Sequence, residues 1–171
     1  MMPPRIIPPH LRCKPVSVLF VCLGNICRSP AADGIMHSLV EEHGVADRWT
    51  IDSAGIGGWH VGDLPDKRMR VHARRRGYEL THRARQVREA DFERFDLIIG
   101  MDAQNIDDLR HIAPTPDAMA KIYPISRWMG RVASPYDYVP DPYYDGAEGF
   151  ENVLTLLEDA LSSLLSDWST P

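Results

Sequence analysis

Val21-Cys22-Leu23-Gly24-Asn25-Ile26-Cys27-Arg28-Ser29-Pro30 is the stretch on which the fold turns. Ahead of it, Val16 to Val21 is apolar and β-branched enough for a buried strand. Behind it, Ala31, Ala32, Ile35, Met36, Leu39 and Val40 recur at helical spacing. Ser29 is expected to cap that helix and Pro30 to be its first residue. The loop from Cys22 to Arg28 thus leaves the carboxyl end of a strand and enters a helix N-terminus, where free backbone N–H groups converge on an anion. Gly24 and Asn25 are residue types that accept left-handed backbone, which a loop turning its amides inward requires. A free cysteine with a pKa of about 8.5 is only about 3% thiolate at pH 7, so holding it ionised takes about 3 kcal/mol. Loop amides, the helix end and Arg28 are placed to supply it. The planar fork of Arg28 also matches two oxygens of a phosphoryl group, as a lysine does not.

The Cys-x5-Arg-Ser string from Cys22 to Ser29 resembles the signature of the low-molecular-weight protein tyrosine phosphatases. The competing reading of the string is a core cysteine beside an ordinary strand-to-helix turn. The resemblance implies that Cys22 is the nucleophile and that Leu23, Gly24, Asn25, Ile26 and Cys27 form the phosphate-binding loop. It implies that Arg28 grips the phosphate and that Ser29 hydrogen-bonds the thiolate and eases its departure. Two further segments align in the family's order. Thr81-His82-Arg83-Ala84-Arg85-Gln86 matches a stretch through which a histidine and a serine brace the loop asparagine, which assigns His82 and Ser53 to holding Asn25. Asp141-Pro142-Tyr143-Tyr144 matches the element carrying the family's general acid. Asp141 is then expected to protonate the leaving oxygen and, as a carboxylate, to take a proton from the hydrolytic water. Its neighbours Asp137 and Asp145 precede no proline. Trp59 lies in a loop that walls the family's cleft, and with Tyr143 and Tyr144 it would make a deep slot favouring phosphotyrosine over phosphoserine. Cys27 stands where the family has a cysteine able to form a disulfide with the nucleophile on oxidation; as a small apolar filler it needs no such role.

At 171 residues, with a net charge of −5, the chain suits one soluble α/β domain, and no run approaches the length of a membrane span. Its three cysteines, Cys13, Cys22 and Cys27, all lie near one end, which fits reduced thiols in a cytoplasmic protein better than structural disulfides. Basic residues are concentrated from Lys67 to Arg88. The arginines at 68, 70, 74, 75 and 76 lack interleaved aromatics and read as a solvated helix face, so nucleic acid is not an expected partner. Nor is a membrane surface, because the polar face of the amphipathic stretch from Ala147 to Trp168 is acidic.

In chain order, residues 1–15 are proline-rich and read as a flexible tail, not a signal peptide, ahead of a phosphatase domain over 16–171. A helix to about His43 stops at Gly44, and Trp49 to Ser53 is a second strand. Ile56 to Pro65 is a glycine-rich loop, and a helix from about Asp66 to Arg76 is halted by Gly77. Phe95 to Met101 reads as a parallel strand covered on both faces, and Asp102 as the cap of a helix with Ile106 and Leu109 inward. Met119 to Ile125 is a weaker fourth strand. Ser126 to Gly146 is a long irregular loop, and Ala147 to Trp168 an amphipathic helix.

The fold this implies is a four-stranded parallel sheet with helices on both faces, flavodoxin-like, with the site at the strands' carboxyl ends. The expected function is hydrolysis of phosphotyrosine in proteins through a cysteinyl-phosphate, with no cofactor and no metal. A tyrosine-phosphorylated protein is the expected partner, phosphate or another oxyanion the occupant of the loop, and a monomer or weak dimer the assembly. An arsenate reductase on the same scaffold would need resolving cysteines, and none follows Cys27. A phosphotyrosine-binding module without turnover would have no use for Cys22 together with Asp141. A nucleotide-binding enzyme would need a Gly-Lys-Ser/Thr loop, which is absent from the sequence.

Overall fold

The structure, a computed structural model, describes residues 15–130 and 134–169. The expected tail, with Cys13, falls almost wholly on residues 1–14, outside that range. Four parallel strands, β1 (Val16–Cys22), β2 (Trp49–Gly55), β3 (Leu97–Gly100) and β4 (Ile122–Pro124), lie in the order β2-β1-β3-β4. The four-stranded parallel α/β sheet expected from the sequence is the one found. After β1 the chain goes to one side for β2 and then crosses back to the other for β3. The carboxyl end of β1 is therefore the point where connections part in opposite directions, and a crevice opens there.

Both faces of the sheet are covered, and the alternation along β1 shows how. Val16, Val18, Phe20 and Cys22 face a core shared with α1 (Arg28–Glu42), α2 (Lys67–Arg75) and α6 (Ala147–Ser169). Leu19 and Val21 point the other way, onto Phe92, Phe95, Ile98 and Leu109. That second face is closed by α3 (Asp91–Arg94), α4 (Ala103–Ile112) and α5 (Pro116–Met119). In α6 the stripe Phe150, Val153, Leu154, Leu157, Leu161, Leu164 and Leu165 is buried along its length, and Trp168 meets Trp49 edge to face at 5.8 Å. No helix among the described residues is long and apolar enough to cross a membrane.

Three local expectations are corrected. Helix α1 begins at Arg28, two residues before Pro30, and Ser29 does not cap it: the N-cap is Cys27, with no side-chain cap bond. The Ser29 hydroxyl is committed to Cys22 and Asn25 instead. Met119 is not in a strand but ends α5, whose start is fixed by Thr115 accepting from the Ala118 amide at 3.0 Å and by Pro116 at the first turn. The basic face of α2 is not uniformly solvated. Arg76 reaches across to α6, where it pairs with Glu151 at 2.9 Å and with Glu158.

Candidate active site

Strand β1 delivers Cys22 to the crevice and leaves it 3% exposed. The next five residues wrap back over it. Three of the loop's carbonyls are turned outward: Cys22 and Leu23 accept from the amides of Ile56 and Gly57, each at 2.9 Å, and Ile26 accepts from Asp66 at 2.7 Å. Among the described residues, no amide from Leu23 to Arg28 donates to another backbone group. A ring of unspent donors thus faces the hollow, at the positive end of the fifteen-residue α1. Asn25 holds φ at +58° to make this turn. Gly55, the last residue of β2, passes directly beneath, where any Cβ would stand 3.0 Å from the Asn25 nitrogen and from the Gly24 carbonyl carbon.

Asn25 itself is 1% exposed and fully engaged. Its amide nitrogen donates to Ser29 Oγ at 2.8 Å and Ser53 Oγ at 3.1 Å. Its Oδ1 accepts from His82 Nε2 and from the Arg85 amide, both at 3.0 Å. The Ser53 hydroxyl donates to Asp33 Oδ2 at 3.0 Å. Two short polar side chains, a histidine and a backbone amide therefore lock the one non-glycine residue at positive φ among the described residues. Asp33, Asp52 and His82 each offer a ligand atom within 4.8 Å of the others, the one such group of metal-ligand type among the described residues. All three already hold partners: Ser53 and His37 on Asp33, Arg85 on Asp52, and Asn25 on His82. The cluster reads as the outer support of Asn25.

The Cys22 sulfur lies 3.0 Å from Ser29 Oγ and 3.5 Å from the Ser29 amide. Because Ser29 Oγ already accepts from Asn25, its own proton can point at the sulfur at 3.0 Å or at the more distant Ala54 carbonyl at 3.5 Å. Arg28, 2% exposed, lies across the hollow. One guanidinium nitrogen donates to Asp102 Oδ2 at 2.6 Å and to the Val139 carbonyl at 3.0 Å, and the other stands 3.9 Å from Asp141 Oδ2. Burial pulls the Arg28 pKa down, but the Cys22 sulfur, Asp102 and Asp141 more than reverse it, leaving the guanidinium firmly charged. Burial drives the Cys27 thiol the opposite way: with the charges of Asp66 and Cys22 added, its pKa is raised and the thiol stays protonated.

Cys22, Leu23, Gly24, Ile26, Cys27, Arg28, Trp59, Asp141, Tyr143 and Tyr144 line one cleft of about 260 Å³, with His60 as a further wall. Asn25, Ser29, Ser53 and His82 lie behind it, bonded to one another or to the sulfur as above. Trp59 is 71% exposed and Tyr144 94%, so these two rings stand at the rim. The Trp59 ring lies against Gly57, where no side chain would fit. Asp141 is the most loosely held of the polar groups. Its Oδ1 accepts from the Tyr143 amide at 3.1 Å, and its side chain is 44% exposed.

Two site residues escape sequence reading. Asp102 does cap α4, through Oδ1 and the Asn105 amide at 2.8 Å, and that local role hides the other oxygen, which orients Arg28 from 74 positions away. His60 rests on the loop at Gly24 and faces Asp63 at 3.4 Å, a placement with no signal in a lone loop histidine. A larger cavity of about 440 Å³ beside β4 is lined by Asp102, whose Oδ2 holds Arg28, but contains no cysteine.

The sequence profile of the family described as "Low molecular weight phosphotyrosine protein phosphatase" matches residues 17–169. The chain is 44% identical over 153 residues to a low molecular weight protein-tyrosine-phosphatase of Bacillus subtilis, covering 88% of this chain and 94% of that one. It is 42% identical over 149 residues to one from Streptomyces coelicolor, covering 87% and 91%. A crystal structure of a protein tyrosine phosphatase from Entamoeba histolytica superposes with a TM-score of 0.85 at 38% identity, over 89% of this chain and 96% of the other.

Proposed function

Because this chain belongs to the low molecular weight phosphotyrosine protein phosphatase family, and is a phosphatase, we propose that it removes phosphate from tyrosine side chains of proteins through a phosphocysteine at Cys22. The observation that carries this reading is the convergence in one cleft of the Cys22 sulfur, the Arg28 guanidinium and the Asp141 carboxyl.

The phosphoryl oxygens take the place for which the unspent loop amides and Arg28 are already arranged, so little reorganisation is needed when charge builds up on them. The Cys22 thiolate attacks phosphorus in line with the ester oxygen. As the P–O bond to the phenol breaks, Asp141 delivers its proton to that oxygen and becomes a carboxylate. Water then approaches from the side the phenol has left. Asp141 takes a proton from it, the new P–O bond forms, the S–P bond breaks, and the Ser29 hydroxyl receives the departing thiolate with a hydrogen bond. Inorganic phosphate leaves, and Asp141 is again protonated.

Trp59, Tyr143 and Tyr144 flank the approach and give an aryl ring apolar surface on its way to the loop. That favours phosphotyrosine, since phosphoserine carries its phosphate on a shorter stem. Free thiols at Cys22 and Cys27 suit a reducing cytoplasm.

Hydrolysis of para-nitrophenyl phosphate by Cys22→Ser protein tests the nucleophile: the rate should fall by a factor on the order of 10⁴ or more. Wild-type protein quenched during turnover should carry one phosphoryl group on the peptide that contains Cys22. Full activity in the serine variant, or a phosphoryl group on another residue, would overturn the reading. Equal rates on phosphotyrosine and phosphoserine peptides would remove the role given to the rim aromatics.

A further inference from the structure

Arg68 lies outside the lining of the cleft, yet it joins the two segments that must meet for catalysis. Its guanidinium forks onto Asp66, with Nε to Oδ1 at 3.1 Å and a terminal nitrogen to Oδ2 at 2.9 Å. Asp66 caps α2, accepting from the Arg68 amide at 2.8 Å, and its own amide donates to the Ile26 carbonyl of the phosphate loop at 2.7 Å. The flat face of the same guanidinium covers the Tyr143 ring, 5.4 Å from its centroid, and the Phe150 ring of α6 at 4.8 Å. Tyr143 in turn donates its backbone N–H to Asp141 Oδ1. An unbroken path of contacts therefore runs from loop carbonyl to Asp66, to Arg68, to the Tyr143 ring, and from the Tyr143 amide to the carboxyl.

We propose that Arg68 is the positioning residue for the general acid, a latch that sets Tyr143, and through its amide Asp141, at a fixed height above the phosphate loop. The proposal rests on the reading of Asp141 as the acid. With Oδ1 taken by the Tyr143 amide, Oδ2 is the oxygen left to carry the proton, and it is the one that faces Arg28. The partners of Tyr143 show why a latch is needed. Its neighbour Tyr144 meets it edge to face at 5.0 Å but is itself 94% exposed and has no backing. An arginine suits the task because its rigid plane binds a carboxylate along one edge while stacking on two rings; a lysine offers a point charge and no plane.

The test uses two substrates that differ only in how much the leaving oxygen needs a proton. Para-nitrophenol leaves readily as its anion, whereas phenol does not, so the ratio of kcat/KM for phenyl phosphate to that for para-nitrophenyl phosphate reads acid assistance. Asp141→Ala should lower this ratio by about ten-fold or more. Arg68→Ala should lower kcat/KM for phenyl phosphate about three-fold and for para-nitrophenyl phosphate by less than about 1.5-fold, the size of one lost exposed cation–aromatic contact. Tyr143→Ala breaks the same contact from the other side, and Tyr143→Phe keeps it. The first should shift the ratio as Arg68→Ala does and the second should not, and combining Arg68→Ala with Tyr143→Ala should shift it no further.

An equal loss on both substrates, or two shifts that multiply in the double variant, would overturn the latch. If Asp141→Ala itself leaves the ratio unchanged, the acid assignment falls and the latch falls with it. If Asp141→Ala shifts the ratio and Arg68→Ala does not, only the latch falls.

Discussion

The floor of the cleft and its outer wall are built on opposite plans. Asn25, Arg28, Ser29 and Ser53 on the floor are nearly inaccessible, and each makes at least two polar contacts fixed by strands and helices. On the wall, Asp141, Tyr143 and Tyr144 stand in an irregular segment, open to solvent and held by a few interactions. The contrast fits the roles proposed for each. Oxyanion binding gains most from donors that do not move, because dipoles fixed in advance cost nothing to align during reaction. A proton donor must instead admit a bulky aryl ester, act on it, and then let water through to the same phosphorus.

If the floor acts by rigidity and the wall by proton delivery, their variants should fail in different ways. Among these floor and wall residues the largest loss is expected for Arg28→Lys. An ammonium cannot hold Asp102, the Val139 carbonyl and two phosphate oxygens together, so kcat/KM should drop by about 10³ on every aryl phosphate, whatever its leaving group. Asp141→Ala should cost about 10² in kcat/KM on phenyl phosphate and far less on para-nitrophenyl phosphate, with the thermal midpoint unchanged; a uniform loss would erase the distinction between the regions.

Asn25→Ala comes next. It strips the four-bond hub and leaves alanine at positive φ, so activity should fall ten-fold or somewhat more on all substrates alike, and stability should fall by about 3 kcal/mol in denaturant unfolding. The smallest effect lies at the far edge of the floor. Hydrogen bonding to Asp33 raises the His37 pKa, with burial opposing, so the pair contributes stability that is fully present below the unfolded value of about 6.5 and lost as pH rises through the higher folded value. Because His37 is half-exposed, wild type should exceed His37→Gln by less than about 1 kcal/mol near pH 5.5, and by nothing measurable near pH 8.5. A larger gap at alkaline pH would reverse the sign of this coupling.

How much of this could be read from the sequence depends on whether a residue's partners are close to it along the chain. The β1 strand, the loop and α1 were legible because apolar period, glycine, asparagine and the cysteine–arginine spacing all fall within about thirty residues. The four-residue helices α3 and α5 were not, being too short for any period to show, although Thr115-Pro116 carries the start signal of the second. Ser29 illustrates a different limit. It has the residue type and position of a cap, but a buried sulfur and an amide compete for its hydroxyl and win. Asp102 and Arg68 each have a sufficient local role, one as a helix cap and the other as a partner for a neighbouring carboxylate. Their second contacts, to Arg28 and Tyr143, exist only once the sheet has brought distant segments together.

Gly55 carries a last consequence. With the end of β2 pressed against the underside of the loop, no side chain can grow there without pushing on the backbone at Gly24 and Asn25. New substrate preferences would therefore be written on exposed side chains of the two outer segments, such as Trp59 and Tyr144. The chain is partitioned so that what it accepts can drift while how it cuts stays the same.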